Sequence, residues 1–268
     1  MQQRVVTLLS DFGLKDSYVS EMKAVILSEY PKARIIDITH QIDRFNVRMG
    51  AFLLACATPY FPKGTVHVAV VDPGVGTKRR PVVVETTHSH LVGPDNGVLI
   101  LAALKEGIER VYVIENPRCM LPKVSNTFHG RDIFAPAAAH LARGRAAAEF
   151  GKEIQDYEVP DFAEPRFDEG VISGEILHVD RFGNIITNIP SGYLAKLPLN
   201  ENAHLKAVVG TQTAVVRFCS TYSSVPIGDS VAIVGSHDFL EISVNQGNAA
   251  KLFNAEIGKP MSIRLNYG

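Results

Sequence analysis

The sequence predicts an α/β fold: an N-terminal domain built on a parallel sheet, residues 1–165, followed by a smaller antiparallel β domain, residues 166–268. Three observations predict it. Short aliphatic runs alternate with segments of helical period through the first half of the chain. Between Tyr157 and Asp168, Pro160, Pro165 and several acids interrupt every periodicity, which marks a boundary. Beyond it only short strand-like runs remain, separated by turns. A length of 268 residues also exceeds the usual span of one hydrophobic core.

The elements follow in order. Val5 to Leu9 is an aliphatic run suited to a central strand, and Ser10 to Asp16 is a polar turn. From Ser17 the apolar residues Val19, Met22 and Ile26 recur at helical spacing until Pro31, and Arg34 to Ile38 forms the next strand, completing a β-α-β unit. A second helix is expected over roughly Val47 to Tyr60. The buried strand Thr65 to Val71 comes next, and Pro81 to Thr86 continues the strand pattern with parallel pairing expected. Pro94-Asp95-Asn96-Gly97 is a turn, followed by the apolar Val98 to Leu101 and a strand at Arg110 to Ile114. An alanine-rich helix then begins, with Asp132 as its N-cap and Pro136 in its first turn. In the second domain, strands are expected at Gly174–Val179, Ile185–Ile189, Leu205–Val209, Thr213–Phe218, Asp229–Val234 and Phe239–Val244.

Bulk chemistry excludes several functions. Lys+Arg 27 against Asp+Glu 28 leaves a net charge of -1, so no general electrostatic attraction draws the chain to nucleic acid or an anionic membrane. Cys56, Cys119 and Cys219 lie far apart and form no CxxC pair, which argues against a disulfide framework or a structural zinc site and fits the cytosol. The first residues turn polar too soon for a signal peptide, and no apolar run reaches membrane-spanning length. His88 and His90 lack an acidic or cysteine partner at zinc-like spacing and read as a surface hairpin.

The segment Val71-Asp72-Pro73-Gly74-Val75-Gly76-Thr77-Lys78-Arg79-Arg80 places a carboxylate and a basic cluster around a glycine turn, at the carboxyl end of a buried strand where open α/β sheets hold ligands. Gly74 to Lys78 is not a Walker loop or a dinucleotide fingerprint, since the spacing differs and another strand follows; a glycine turn with solvated bases is the alternative to a phosphate cradle. His129, between Phe128 and Gly130 before a helix start, can face a cleft, and Asp72 and Arg79 at ends of the same sheet can orient its imidazole. Asp11 and Asp16 follow the first strand, where they bind a ribose or an amine or else serve as turn and cap residues. In Asp180-Arg181-Phe182-Gly183-Asn184, Phe182 offers a face to a flat base, Asn184 hydrogen bonds to an adenine edge and Asp180 meets a cation; the alternative is an Asx turn with Phe182 in the core.

Together Ser10-Asp11-Phe12-Gly13, VDPGVGTKRR, Gly93 to Gly97, Thr127 to Asp132 and Asp180 to Asn184 resemble the S-adenosylmethionine hydroxide adenosyltransferases, hydrolytic relatives of fluorinase and chlorinase. The resemblance runs through both domains in order. It implies attack by water or hydroxide on C5′ of S-adenosylmethionine, giving adenosine and L-methionine, with Asp72, Arg79 and His129 as the catalytic triad. It further implies ribose binding by Asp11 and a carboxylate near the methionine amine at Asp16. In the second domain Asp180 corresponds to the methionine-amine partner, Phe182 and Asn184 to adenine contacts, Ser236 to a methionine-carboxylate contact, and Asn248 and Ala249 to the later adenine-edge segment. One departure is His237, where the halogenating relatives carry arginine; those relatives also have an aromatic at the Asp72 position. The family implies a homotrimer with ligand at the subunit interface. Sulfonium departs as a neutral thioether, so the reaction needs neither metal nor other cofactor nor general acid, and S-adenosylmethionine is the substrate. Two other functions stand beside hydrolysis: a non-catalytic S-adenosylmethionine or adenosine binder, and a halide-dependent adenosyltransferase, in which the Asp72 carboxylate would repel the halide.

Overall fold

The computed structural model describes residues 4–266, so Met1 to Gln3 of the polar N-terminal stretch lie outside the described residues. The chain divides into two compact units between Pro160 and Asp161.

In the first unit, β1 (Val5–Ser10) is buried at every residue after the first. The helix α1 (Tyr18–Glu29) buries Val19, Met22 and Ile26, the three residues its period singles out. β2 (Arg34–Thr39) follows, then α2 (Val47–Ala57), whose N-cap Asn46 accepts the Met49 N–H at 3.0 Å. A 3-10 turn at Thr58–Tyr60 leads to β3 (Val66–Val70), buried throughout. β4 (Pro81–Thr86), β5 (His90–Pro94), α3 (Ile100–Glu106), β6 (Ile108–Val113), α4 (Ala135–Ala142) and β7 (Glu153–Ile154) complete the unit.

The sheet order is β2-β1-β3-β5-β4-β6-β7. β1 pairs in parallel with both β2 and β3, and β3 in parallel with β5. β4, however, is antiparallel to β5 and to β6, which corrects the parallel pairing expected for Pro81–Thr86. The reason is the connections: β3 reaches β4 through a loop with no crossover helix, and β4 turns straight back into β5 through Thr87–Ser89. That hairpin carries His88 and His90. β5 itself was hidden in the sequence because its last residue, Pro94, opens the Pro94–Gly97 turn. The apolar Val98–Leu101 run opens α3.

Val6, Leu8, Val66, Val68 and Val70 pack on one face against Met22 and Ile26 of α1 and the alanines of α4. Leu9 points the other way, toward α2, where a Cβ on Gly50 would meet Val71 at 3.0 Å and Val98 at 3.1 Å. Asp132 is not the cap of α4. It lies buried in a π turn, Gly130–Phe134, and its carboxylate takes the Ser125 N–H at 2.8 Å and pairs with Arg131 at 2.7 Å; Phe134 occupies the cap position and Pro136 the first turn.

The second unit comprises β8 (Arg166–Asp168), β9 (Val171–Val179), β10 (Ile185–Pro190), α5 (Ser191–Leu194), β11 (His204–Val209), β12 (Gln212–Phe218), β13 (Ser230–Val234), β14 (Phe239–Val244), α6 (Ala249–Leu252) and β15 (Pro260–Leu265). They form one eight-stranded sheet that β10 and β9 close back on itself. All pairings are antiparallel except β12 with β13. Inward residues such as Ile172, Ile185, Leu205, Val216, Leu240 and Ile263 fill the interior.

His67 sits fully buried on β3, its Nδ1 2.7 Å from Thr7 Oγ1. Burial, with His88 adding to it, depresses its pKa to about 3. Below about pH 6.5 the unfolded chain takes up a proton that the folded chain refuses, so stability falls with acidification by up to about 1.4 kcal/mol per pH unit until about pH 3. Urea titrations of wild type and His67→Gln between pH 7 and 5 should show a shallower acid loss in the variant; equal slopes would exclude this origin.

Candidate active site

β1 sits between β2 and β3, so the chain leaves it on one side and returns on the other. Such a reversal opens a crevice at the carboxyl ends of the two central strands. Ser10 of β1 pairs with Val70 of β3, which brings Asp11 and the Val71-Asp72 segment out side by side. A cleft of about 430 Å³ lies there, lined by Asp11, Asp16, Asp72, His129, Arg44 and an aromatic wall that includes Phe45. Phe12, Tyr18 and Phe128 form that wall, with centroids 5.1 to 5.7 Å apart. With Asp72 paired to Arg79 behind it, Asp11 and Asp16 against Arg44 still leave the lining net acidic and suited to a cation, and aromatic faces favour the same charge.

Arg79 reaches back to Asp72, its Nε lying 2.9 and 3.0 Å from the two carboxylate oxygens, and its Nη2 contacts Oδ2 as well. The same Nη2 donates to His129 Nδ1 at 2.8 Å. An arginine has no lone pair to offer, so Nδ1 accepts and the ring proton of neutral His129 sits on Nε2. Burial first, and then the Arg79 charge, hold the His129 pKa below the usual histidine range; Asp72 and Asp132 pull the other way. Arg79 packs on the Phe134 ring at 5.2 Å, and its Nη1 is buried without a hydrogen-bond partner among the described residues.

The glycine turn serves this geometry. Gly76 has φ +75°, and a Cβ there would lie 2.3 Å from the Asn126 carbonyl, so the loop after β3 seats directly on the loop before His129. A Cβ on Gly74 would meet the Arg79 stem at 3.2 Å. The basic cluster is divided: Arg79 turns inward, whereas Arg80 bonds Asp95 at 2.9 Å and Asp156 at 2.8 Å. Asn96 donates to the Val71 carbonyl at 2.9 Å and fixes the backbone one residue before Asp72. That role, and the contributions of Arg44 and Phe45 to the cleft, carry no sequence signature of their own. Asp11 accepts the N–H of Phe45 at 2.9 Å, and Phe45 holds φ 63° while remaining exposed; Asp16 is exposed at the rim.

In the second unit, Asp180 Oδ1 accepts the N–H groups of Phe182 and Asn184, each at 2.9 Å, and Oδ2 accepts Asn184 Nδ2 at 2.9 Å. This is an Asx turn, yet Phe182 is 77% exposed and not in the core. Its ring is free to stack. Asn248 caps α6 by accepting the Lys251 N–H at 2.8 Å, Ala249 is buried behind it, and Gly183 approaches so closely that a Cβ would fall 2.2 Å from the Asn248 side chain. The structure therefore brings Asp180, Phe182, Asn184, Asn248 and Ala249 together. Ser236 is exposed in the turn after β13. Beneath that turn lies buried Glu241, which accepts Tyr222 Oη at 2.8 Å and Ser243 Oγ at 2.7 Å.

Each unit matches a known family of domains. Residues 6–151 match the SAM hydroxide adenosyltransferase N-terminal domain, and residues 174–262 match the corresponding C-terminal domain. The chain belongs to the SAM hydroxide adenosyltransferase family.

Among its relatives, a protein named (R)-S-adenosyl-L-methionine hydrolase from Thermus thermophilus is 40% identical, over 97% of this chain and 99% of the relative. One of the same name from Methanocaldococcus jannaschii is 38% identical over 94% and 92%. A fluorinase from Actinoplanes sp. is 26% identical over 97% of each. A crystal structure of an uncharacterized conserved protein from Thermotoga maritima superposes with a TM-score of 0.86 at 38% identity, covering 97% of this chain and 99% of that one. Asp11, Asp72, Arg79 and His129 fall within the span of the N-terminal domain match, and Asp180 to Ala249 within that of the C-terminal one.

Gly76 gives a direct test of the loop contact. Gly76→Ala combines a left-handed φ with a backbone clash, while Gly13→Ala, at φ +69° with nothing within 4 Å, meets the φ cost alone. Gly13→Ala should lower stability by about 1 kcal/mol and Gly76→Ala by clearly more, read from thermal unfolding. Equal losses would mean that the Asn126 contact is not rigid.

Proposed function

We propose that this protein hydrolyses S-adenosyl-L-methionine to adenosine and L-methionine, with Asp72, Arg79 and His129 presenting the oxygen nucleophile. The observation that carries this reading is the Asp72-Arg79-His129 hydrogen-bonded chain at the wall of an acidic, aromatic cleft. Asp72 and His129 occupy Nε and Nη2 of the guanidinium, and these two residues line the cleft, so the Asp72 carboxylate and the outward Nε2–H of His129 are the groups offered to water or hydroxide there. Attack forms the C5′–O bond as the C5′–S bond breaks, the bonding pair staying on sulfur. One water and one sulfonium cation thus give adenosine, methionine and a proton released to solvent. Asp72 offsets the arginine charge, which would otherwise repel the cationic substrate. Because the leaving group departs neutral, the reaction calls for no metal and no other cofactor.

For binding, Asp11 is assigned to the ribose and Asp16 and Asp180 to the methionine amine. Phe182, Asn184, Asn248 and Ala249 are assigned to adenine, and Ser236 to the methionine carboxylate. The family resemblance supports a homotrimer with ligand at the subunit interface, and an exposed Phe182 ring fits a surface completed by ligand or partner. No helix among the described residues is long and apolar enough to cross a membrane, and Cys56, Cys119 and Cys219 are free thiols, which favours the cytosol.

Incubation with S-adenosylmethionine should release adenosine and methionine in equal amounts, and His129→Ala should slow this at least tenfold, roughly the least expected for a positioned polar group. Arg79→Lys, a point charge unable to reach both neighbours, should lose about 10²-fold. Binding without product over hours would sink the enzymatic reading. The His129 pKa is lowered, so the ring stays neutral through the ordinary histidine range and loses its Arg79 contact only in more acidic solution. The rate should therefore be level from pH 8 down through about 6.5 and fall below it. A fall already complete by about pH 7 would contradict the assigned neutral ring. Light scattering should give three times the monomer mass, and a monomeric active species would exclude the interfacial site.

A further inference from the structure

The amino ends of the parallel strands carry a second concave site. β1 begins after Arg4, β2 begins at Arg34, Lys63 precedes β3, and β5 begins at His90; together with Arg143 these five side chains line a pocket of about 620 Å³. Among the described residues no carboxylate lines it. Asp11 and Asp72 leave the opposite edge of the same sheet, so one strand length, about 16 to 20 Å, separates this pocket from the candidate active site.

Its charge is only partly compensated. Glu29 lies 4.0 Å from Arg143, and Glu85 lies 3.7 Å from His90. Arg4 is anchored by a 3.3 Å bond to the Leu141 carbonyl, and no ion pair joins it to a carboxylate among the described residues. Arg34 and Lys63 have no side-chain partner among the described residues. Among the described residues, three cations thus line one pocket without an ion-pair partner, in a chain whose net charge is -1. His90 adds a buried Nδ1 with no hydrogen-bond partner among the described residues. Burial mainly, with Arg4 contributing and Glu85 and Glu109 pulling the other way, holds its ring below the usual histidine range, so the neutral imidazole offers one hydrogen-bonding atom rather than another charge.

Like charges gathered in a concave surface focus a positive potential and select an anion of matching multiplicity. Arginine forks pair bidentately with phosphate oxygens, and lysine adds a movable point charge. A single phosphate, with at most about two negative charges, leaves part of the cluster unmatched, whereas a di- or triphosphate neutralises it. The volume falls within the usual range for small-ligand sites. We propose that this pocket binds a small multivalent phosphate, the di- or triphosphate group of a metabolite, at the sheet edge remote from the candidate active site.

Calorimetry on the intact protein at low ionic strength tests it, with inorganic tripolyphosphate as the probe. One tripolyphosphate per chain should bind, more weakly as salt is raised. The double variant Arg34→Glu, Lys63→Glu should weaken binding at least tenfold, on the order of what reversing two close charges does, and Arg34→Gln, Lys63→Gln should weaken it less. Both residues are exposed and outside the proposed catalytic machinery, so melting temperature and adenosine release should stay near wild type. ATP gives the second arm. ATP binding that is tighter than tripolyphosphate and lost on charge reversal identifies a nucleotide ligand; equal affinity identifies the phosphate chain alone. No binding of tripolyphosphate, or binding untouched by charge reversal in a folded variant, overturns the site.

Discussion

The arrangement depends on a guanidinium held nearly out of water between a carboxylate and a neutral imidazole. The Arg79 and Asp72 side chains retain 9% and 5% of their exposure. Removing one partner of such a pair leaves a charge stranded at low dielectric, at a cost of about 3–5 kcal/mol, so each residue depends on the other. His129 completes the restraint by accepting from the same nitrogen that faces Asp72. A flexible cation becomes a fixed donor array, which is the condition for electrostatic stabilisation without reorganisation.

Much of the surrounding fold serves to place those three groups. β1 and β3 deliver Asp11 and Asp72 to one crevice because their register aligns Ser10 with Val70. Asn96 pins the Val71 carbonyl, and Gly76 permits the two loops to touch. The Arg131 guanidinium lies 5.0 Å from the Phe128 ring and joins Glu21 of α1 to Asp132 of the π turn, bracing the segment that carries His129. An exposed ion pair of that kind adds little on its own, but a shared guanidinium linking two elements restricts their motion.

Opposite edges of the same parallel strands have opposite chemistry. The carboxyl ends gather Asp11, Asp16 and Asp72 around a cleft suited to a cation, and the amino ends gather Arg4, Arg34 and Lys63 around one suited to an anion. A near-neutral total charge conceals both. In the second unit, Asp180 accepts three hydrogen bonds from its own turn, only one of them at Oδ2, and so presents Phe182 outward, while Asn248 packs against Gly183.

From the sequence alone came the α/β class, the β-rich second half and the helix face of Val19, Met22 and Ile26, because periodicity is a local property; Asp72, Arg79 and His129 were each visible as candidates, but it was the family resemblance that joined them into one set. Strand direction was not legible: Pro81–Thr86 has the same burial pattern in either orientation, and only the Thr87–Ser89 turn made it antiparallel. Nor was the fate of Asp132, whose spacing suited a cap but whose carboxylate is taken by Ser125 seven residues earlier in the chain. Arg79 and Arg80 are adjacent and chemically identical, yet one is enclosed beside Asp72 and the other bound to Asp95 and Asp156. Tertiary structure decided that division, because a side chain's partner depends on which distant backbone lies within reach of it, and no neighbour in sequence carries that information.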